Sequence, residues 1–208
     1  MNIAIEGPIG VGKTELARML SNTFDARLIL EPQEDNPFLE KFYKQPQRYA
    51  FQTQIHFLFE RYRLIEQFKQ QDLFHKVTIS DFIYEKDRIF AYINLTDPEL
   101  ILYEKIWNIV IGEPIKFDLV IYLEARIDVL INRIRKRNRP YERDISIGYL
   151  DKLIKAYNEF FYRWNNSPLL VVHTSEIDFV KNPEDYERLV ENIRQMKGGR
   201  QDFIPSMR

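Results

Sequence analysis

The 208-residue chain contains no cysteine, and this excludes disulfide bonds, thiolate zinc sites and a cysteine nucleophile. It also has almost no excess charge, because 30 lysines and arginines stand against 31 aspartates and glutamates. A net charge of −1 gives no global positive field, which argues against a protein that coats a nucleic-acid polymer. The three histidines, His56, His75 and His173, share no metal-ligand spacing and are interpreted as structural or surface residues.

Long apolar runs are missing as well. No segment approaches the roughly 18 consecutive apolar residues of a membrane-spanning helix, so no membrane association is expected. The chain enters a predicted strand within its first residues, which leaves no room for a signal peptide and favours a cytoplasmic location. No repeat or linker divides the sequence, so residues 1–208 are predicted to form one domain with a loose tail over about 198–208.

Glycine is scarce, with 7 in the whole chain, and three of them fall in one short stretch. Residues 7–14 read Gly-Pro-Ile-Gly-Val-Gly-Lys-Thr, which fits the phosphate-binding pattern G-x-x-x-x-G-K-[ST]. A strand-like apolar segment precedes this loop, and a helix-forming segment follows it. Strand, loop and helix together surround an anion with backbone N–H groups and a positive helix end. We therefore predict a nucleotide-phosphate site in which Lys13 reaches the β- and γ-phosphates and the Thr14 hydroxyl binds Mg²⁺.

Helical patterns alternate with short apolar segments along the chain, and this predicts an α/β fold with a five-stranded parallel sheet flanked by helices. The predicted strands are Asn2–Glu6, Arg27–Glu31, Val77–Asp81, Leu119–Leu123 and Leu169–His173. Ligands bind beyond the carboxyl ends of such strands, so Glu31 and Asp81 are expected beside the glycine loop. Asp81 is a candidate ligand of Mg²⁺ or of a substrate hydroxyl. The alternative for Glu31 is a solvated carboxylate at the sheet edge.

A long helix predicted over residues 47–70 carries Gln54 and Arg61 two turns apart on one face. An amide and a guanidinium in this arrangement either read the edge of a base or are ordinary surface residues.

An arginine cluster ends the helix predicted over 127–138. Arg133 and Arg137 lie one turn apart, and Arg139 follows directly before Pro140, which stops the helix. Such a cluster is either a solvated face or, beside a phosphate loop, a group that stabilises a transferring phosphoryl.

The segment 98–112 has two apolar faces. One carries Leu100, Tyr103 and Trp107, and the other carries Leu102, Ile106 and Ile109. One face serves the core, and the second predicts a homodimer contact, with deeper burial in the monomer as the alternative.

Together these features resemble the deoxynucleoside kinases, the family of deoxycytidine, deoxyguanosine and bacterial deoxyadenosine kinases, and most of all its small bacterial members. The likeness covers nearly the full chain. The family's loop form G-x-x-G-x-G-K-[ST] is matched by Gly7, Gly10, Gly12, Lys13 and Thr14. The resemblance implies a P-loop nucleoside-kinase fold with an arginine-rich lid, and transfer of the γ-phosphoryl group of ATP, with Mg²⁺, to the 5′-hydroxyl of a deoxynucleoside in nucleotide salvage.

The resemblance also implies roles for individual residues on the deoxynucleoside side. Glu31, in Glu31-Pro32, is the base on the 5′-hydroxyl, with Asp81 as the next candidate. The remaining implied substrate contacts are Tyr43 and Glu142 for the 3′-hydroxyl, and Gln54, Arg61 and Asp87 for the base.

On the ATP side, the resemblance implies the glycine-loop backbone, Val11 included, and catalytic roles for Lys13 and Arg133. Arg137 and Arg139 complete the lid, and the Asp178-Phe179 pair resembles the family's pair near the adenine.

The chain departs from the family after the third strand. The family usually carries Glu-Arg-Ser or Asp-Arg-Ser there, whereas this chain reads Ser80-Asp81-Phe82-Ile83. Phe82 cannot donate a hydrogen bond to the 5′-oxygen region, so either Arg88 or the lid arginines are expected to do so.

Two rival functions share the glycine loop. A nucleoside monophosphate kinase of the thymidylate kinase type needs a further arginine for its acceptor phosphate, and Phe82 argues against it. A nucleotide-dependent switch would leave Tyr43, Gln54 and Glu142 without a role.

Overall fold

The computed structural model describes residues 1–32, 35–70, 74–112 and 115–204, and six strands in this part of the chain form one parallel sheet. They are β1 (Asn2–Glu6), β2 (Arg27–Ile29), β3 (Thr78–Ser80), β4 (Leu119–Glu124), β5 (Leu169–His173) and β6 (Arg200–Phe203). Their spatial order is β2-β3-β1-β4-β5-β6, with every neighbouring pair parallel. Because β1 lies between β3 and β4, the glycine loop leaves from the middle of the sheet, where neighbouring strands bring their carboxyl ends close to it.

Helices connect the strands and cover the sheet. They are α1 (Lys13–Phe24), α2 (Leu39–Lys44), α3 (Pro46–Lys69), α4 (Lys86–Asn94), α5 (Asp97–Val110), α6 (Ile127–Arg137), α7 (Ile147–Tyr162) and α8 (Pro183–Gln195), with a 3₁₀ turn at Pro140–Glu142. Local sequence explains several boundaries. Thr96 and Glu99 form a capping box at the start of α5, and Asn138 ends α6 in the left-handed conformation.

The prediction of an α/β fold with parallel strands is confirmed, but the count of five strands is wrong. The sixth strand, β6, pairs with β5 at the sheet edge, so residues 200–203 are not a loose tail. Residues 205–208 of the predicted tail lie outside the described residues. The sequence hides β6 because Arg200, Gln201 and Asp202 face solvent and only Phe203 is buried, which gives no apolar alternation.

Two apolar clusters position the site. The larger packs helices against the sheet, and the smaller joins α3, α4 and α5 through Leu58, Ile65, Ala91, Tyr103, Trp107 and Ile111. Tyr103 and Trp107 are the buried side of α5, whereas Leu102 and Ile109 are 49% and 82% exposed. Of the second predicted face, Leu102 and Ile109 are thus exposed, whereas Ile106 is partly buried and packs against the smaller cluster. No helix of the described residues is long and apolar enough to cross a membrane.

Candidate active site

The glycine loop wraps around the amino end of α1. Gly12 caps that helix at φ 106°, a left-handed conformation that a side chain would strain. Gly7 runs so close to β4 that a Cβ there would meet the carbonyl oxygen of Leu123. The Lys13 ammonium folds back over the loop and donates to the carbonyl oxygens of Gly7 and Pro8, at 2.7 and 3.2 Å. The loop is thus built largely from backbone groups, as an anion site requires.

Asp81 connects the glycine loop to the chain beyond β2. Its Oδ2 accepts from the Thr14 hydroxyl at 2.6 Å, and its Oδ1 accepts from the backbone N–H of Glu31 at 2.8 Å. A hydroxyl and a carboxylate at this distance are hard oxygen donors of the kind that Mg²⁺ prefers. The pair therefore fits the predicted metal site. A ready-made group of three or more acidic or histidine ligands is not found in the described part of the chain.

Glu31 lies in a buried cluster of charges just past the end of β2. Its Oε1 accepts from Nε of Arg61 at 2.7 Å, and its Oε2 accepts from Nζ of Lys86 at 2.8 Å. All three side chains are at most 3% exposed. The alternative of a solvated edge carboxylate for Glu31 is wrong, because α3 and α4 cover it.

The neighbouring charges set the ionisation of this cluster. Burial by itself would raise the pKa of Glu31, but the positive charges of Arg61 and Lys86 outweigh it and lower the pKa to about 2. Burial, together with the nearby Lys86 charge, lowers the pKa of Lys13 to about 8. Glu31 is therefore a carboxylate at neutral pH, and Lys13 loses its proton more readily than an ordinary lysine.

Behind Gln54 and Arg61 lies a second buried carboxylate, Asp87. Nε2 of Gln54 donates to both the backbone oxygen and Oδ1 of Asp87, each at 2.8 Å, and Nη1 of Arg61 contacts the same Oδ1. Oδ2 of Asp87 accepts from the Tyr103 hydroxyl at 2.6 Å. Gln54 and Arg61 line a cavity and Asp87 does not, so Asp87 holds both side chains in place from behind.

Two cavities meet at the glycine loop, and Ile9 and Lys13 line both. The first is aromatic and rich in charged groups; its other lining residues include Glu31, Phe42, Tyr43, Gln54, Phe57, Arg61, Lys86, Phe90, Glu142, Tyr149 and Tyr157. The second is polar and basic; its other lining residues are Gly10, Val11, Gly12, Thr14, Glu15, Arg18, Arg133, Lys136, Arg137, Arg139, Asp178, Phe179, Val180 and Lys181. The first has the chemistry of a nucleoside site, and the second that of a polyphosphate site.

The predicted lid arginines have different partners. Both Nη atoms of Arg133 donate to oxygens of the loops around it, those of Val11, Thr174 and Ile177, so Arg133 braces α6 against the glycine loop. Arg137 forms a bidentate ion pair with Glu142, with Nε 3.1 Å from Oε2. This pair joins the two cavities, because Arg137 lines the basic one and Glu142 the aromatic one.

The other predicted contacts fall around these two cavities. Tyr43 packs against Tyr149, and burial raises its pKa well above the ordinary value, so it carries a neutral hydroxyl. Arg139 donates to the Tyr141 hydroxyl at 2.9 Å. The buried ring of Phe179 lies beside Gly12, and Asp178 pairs with Lys181 at 2.9 Å.

Two predicted substrate contacts do not line the aromatic cavity. One is Asp87, a predicted base contact, which lies behind Gln54 and Arg61, and the other is Arg88. Its guanidinium pairs with Glu104 and lies over the Trp107 ring, and it does not line the cavity. The neighbouring cation that does line the cavity is Lys86, which the sequence analysis missed. On the first turn of α4, residues 86 and 87 point inward and residue 88 outward, and no pattern in the sequence fixes that rotation.

Glu6 is a second residue that the sequence analysis missed. It ends β1 and is completely buried, where its carboxylate accepts from the N–H groups of Gly7 and Ile83 and from the Tyr157 hydroxyl. It thereby fixes the start of the glycine loop to the segment after β3 and to α7.

Known proteins are similar to this chain in sequence and in fold. The family model described as deoxynucleoside kinase matches residues 3–197. The chain belongs to the deoxynucleoside kinase family. It is 37% identical over 201 residues to a deoxyguanosine kinase of Bacillus subtilis, covering 93% of this chain and 96% of the relative. It is also 28% identical over 201 residues to the deoxyadenosine/deoxycytidine kinase of the same organism, covering 92% and 90%.

A solved structure gives the same assignment at the level of the fold. The deoxyadenosine kinase of M. mycoides with bound dATP superposes with a TM-score of 0.81 at 30% identity, covering 93% of this chain and 99% of that one. Family membership makes this chain an enzyme that phosphorylates deoxynucleosides, and the comparisons give no support to the thymidylate kinase alternative.

Proposed function

We propose that the enzyme transfers the γ-phosphoryl group of ATP·Mg²⁺ to the 5′-hydroxyl of a deoxynucleoside that occupies the aromatic cavity. The observation that carries the proposal is the position of Glu31, whose ionised carboxylate lines this cavity while Lys13 lines both cavities. The 5′-hydroxyl nucleophile and the γ-phosphate would then come together between Glu31 and Lys13. Turnover with ATP and a panel of deoxynucleosides and monophosphates tests it. Phosphorylation of monophosphates alone would overturn it.

On the acceptor side, Glu31 orients the 5′-hydroxyl and takes its proton. A pKa of about 2 makes it a weak base, but phosphoryl transfer has a loose transition state in which the proton leaves late, so hydrogen-bond reach matters more than basicity. Asp81 is less suited to this role, because its oxygens hold Thr14 and the Glu31 backbone and it does not line the aromatic cavity.

On the phosphate side, the glycine-loop amides and Lys13 would hold the β- and γ-phosphates, and Thr14 and Asp81 would hold Mg²⁺. When bound, ATP supplies the phosphoryl group and Mg²⁺ neutralises part of its charge. Arg137 and Arg139 face the same cavity, and Arg133 would join them by exchanging its backbone contacts for phosphate oxygens. Asp178 and Phe179 form the adenine end.

Tyr43 and Glu142 are the proposed partners of the sugar 3′-hydroxyl. Glu142 is paired with Arg137 in this structure. Binding of a sugar hydroxyl to Glu142 would compete with that ion pair and release Arg137 toward the phosphates. The lid would then respond to both substrates.

For the base, we propose a purine or cytosine, with purines slightly favoured and thymidine poor. Both donors of the Gln54 amide are directed at Asp87, which leaves its oxygen to accept from a base amino group. Arg61 supplies donors only, which suit a purine N7 or a cytosine acceptor. The relatives are named for deoxyguanosine, deoxyadenosine and deoxycytidine, which supports the same choice.

The ratio of kcat/KM across the four common deoxynucleosides measures the preference. It should then be repeated with Arg61→Met, and the ranking should be compared rather than the absolute rates, because Arg61 also holds Glu31. A wild-type preference for thymidine, or an unchanged ranking in the variant, would contradict the base assignment.

We also propose a homodimer through the exposed face of α5. Leu102 and Ile109 are large, apolar and exposed on a helix whose opposite face already serves the core. Sedimentation at micromolar concentration should show a dimer that Ile109→Lys dissociates, whereas Lys105→Ala on the same helix should leave it intact. A wild-type monomer would dismiss the proposal. The cytoplasmic location stays a prediction.

A further inference from the structure

Lys86 is a buried cation of the site. Neither the sequence patterns nor the proposed function assigns it a role. It is the first residue of α4, its side chain is 3% exposed, and it lines the aromatic cavity beside Glu31. Its Nζ lies 2.8 Å from Oε2 of Glu31 and 3.8 Å from Oε2 of Glu6. A buried ammonium is costly unless it is paired, so this position needs a reason.

The two cations on Glu31 are arranged differently. Arg61 is shared between two carboxylates, because it holds Oε1 of Glu31 and also contacts Asp87. Lys86 makes its hydrogen bond to Glu31 alone among the described residues, and Glu6 is at ion-pair distance only. An ammonium has three N–H donors, so Lys86 keeps donors for an oxygen bound in the same cavity.

We propose that Lys86 is a catalytic residue on the acceptor side: it holds the Glu31 carboxylate in one orientation and donates a second hydrogen bond to the acceptor oxygen that Glu31 deprotonates. This rests on the proposed function in that Glu31 is taken as the base. Arg61 alone leaves Oε2 without a partner, and Oε2 is the oxygen that Lys86 fixes.

Several other groups hold Glu31 and Lys86 in place. Arg61 from α3 donates to Oε1 of Glu31, and Asp81, directly after β3, accepts from the Glu31 backbone N–H. Glu6 from β1 lies 3.8 Å from the Lys86 ammonium and accepts from the Tyr157 hydroxyl of α7. Substitution of Lys86 removes none of these groups, so a change in the binding of the acceptor oxygen reports on Lys86 itself.

The first test does not depend on turnover. Isothermal titration calorimetry compares the Kd of a deoxynucleoside with that of its 5′-deoxy analogue, which lacks the acceptor oxygen. Wild type should bind the deoxynucleoside more tightly than the analogue, and Lys86→Met, which keeps the length and removes the charge, should reduce that preference about tenfold. Lys86→Arg keeps a charged donor and should keep most of the preference. If Lys86→Met does not fold, Lys86→Gln takes its place.

The second test measures turnover. At pH 7.5, Lys86→Met should lower kcat roughly 100-fold, as expected for one preorganised contact to the reacting oxygen, with the deoxynucleoside KM changed only a few-fold. The control is Lys155→Met, which removes an exposed lysine of α7 and should match wild type.

The outcomes separate the two hypotheses. An unchanged preference for the deoxynucleoside over its 5′-deoxy analogue in Lys86→Met, or a kcat equal to that of wild type, would overturn the role of Lys86 even with normal wild-type kinase activity. Absence of deoxynucleoside phosphorylation by wild type would instead overturn the proposed function, and the calorimetric comparison would still show whether Lys86 contacts the acceptor oxygen.

Discussion

The phosphate side and the acceptor side of this site are built in different ways. On the phosphate side, residues 7–14 form the site within one stretch, and Lys13 and Arg133 are held by backbone carbonyl oxygens. On the acceptor side, the contacts run from side chain to side chain between segments that are distant in sequence. Glu31 follows β2, Gln54 and Arg61 come from α3, and Lys86 begins α4.

This difference has consequences for single substitutions. A backbone site survives the loss of one side chain, because the loop conformation depends on glycines and on helix α1. A buried network of charges does not, because each member that is removed leaves its partner unpaired in the protein interior. Substitutions on either side should therefore lower kcat, but those on the acceptor side should also lower the stability of the fold.

The largest effect is expected from Glu31→Gln on the acceptor side. The amide cannot take a proton, so kcat should fall by about 10²- to 10⁴-fold while deoxynucleoside binding is largely kept. Stability should fall as well, because Arg61 and Lys86 lose their shared carboxylate. Steady-state kinetic assays measure the change in kcat, and urea unfolding measures the change in stability. If Asp81→Asn lowers kcat more while ATP·Mg²⁺ binding stays intact, the base assignment must be exchanged.

The stability effect of Glu31 has a defined pH window. Its pKa is about 2 in the folded protein against the ordinary 4.5, so its stabilisation is fully present above pH 4.5 and is lost as the pH falls toward 2. The difference in unfolding free energy between wild type and Glu31→Gln should shrink over that range. A constant difference would show that the charge of Glu31 is not the cause.

The next largest effect is expected from Lys13→Ala on the phosphate side. Loss of one preorganised cation should cost about 3 kcal/mol of transition-state stabilisation, or roughly 10²-fold in kcat. Stability should stay near that of wild type or rise, in contrast with Glu31→Gln, because burial disfavours this ammonium. Lys155→Ala is the surface control. Near-normal turnover in Lys13→Ala would remove the loop lysine from the mechanism.

The pKa of Lys13 gives the same comparison a pH readout. Because this pKa is lowered from 10.5 to about 8 in the folded protein, kcat/KM for ATP should fall above about pH 8. The unfolded chain keeps the proton up to about pH 10.5, so folded wild type should gain stability relative to Lys13→Met as the pH rises between these values. An activity profile that is flat through pH 9 would contradict the assignment.

The smallest effect is expected from Tyr103→Phe, which removes one hydroxyl behind the base contacts. Asp87 would lose the donor to Oδ2, and its hold on Gln54 and Arg61 should loosen by about 1.5 kcal/mol, or roughly tenfold in kcat/KM for the preferred deoxynucleoside. The differences in kcat/KM between the four deoxynucleosides should become smaller. Tyr122→Phe is the matched control, since its buried hydroxyl bonds to Asn158 away from both cavities. Equal effects of the two variants would deny Asp87 this role.

The sequence by itself determined the glycine loop and the positions of five strands. Both are local: the loop needs glycines at fixed spacing, and buried parallel strands are short apolar runs between helical patterns. The carboxyl-end rule for parallel sheets then placed Glu31 and Asp81 beside the loop. The spacing of Gln54 and Arg61 showed that they share a face of α3, but not what that face meets.

Only the tertiary structure decided which charges meet. Lys86 and Arg88 stand two residues apart in an ordinary charged segment, yet the packing of α4 on α3 and α5 turns the first into the site and the second onto Trp107. Arg137 and Glu142 were predicted to bind different substrates, and the turn at Pro140–Glu142 brings them together. Strand β6 exists because β5 offers it an edge, although its own residues are mostly polar and exposed. The physical reason is common to all three: helix rotation, chain reversal and strand pairing are fixed by contacts between distant segments.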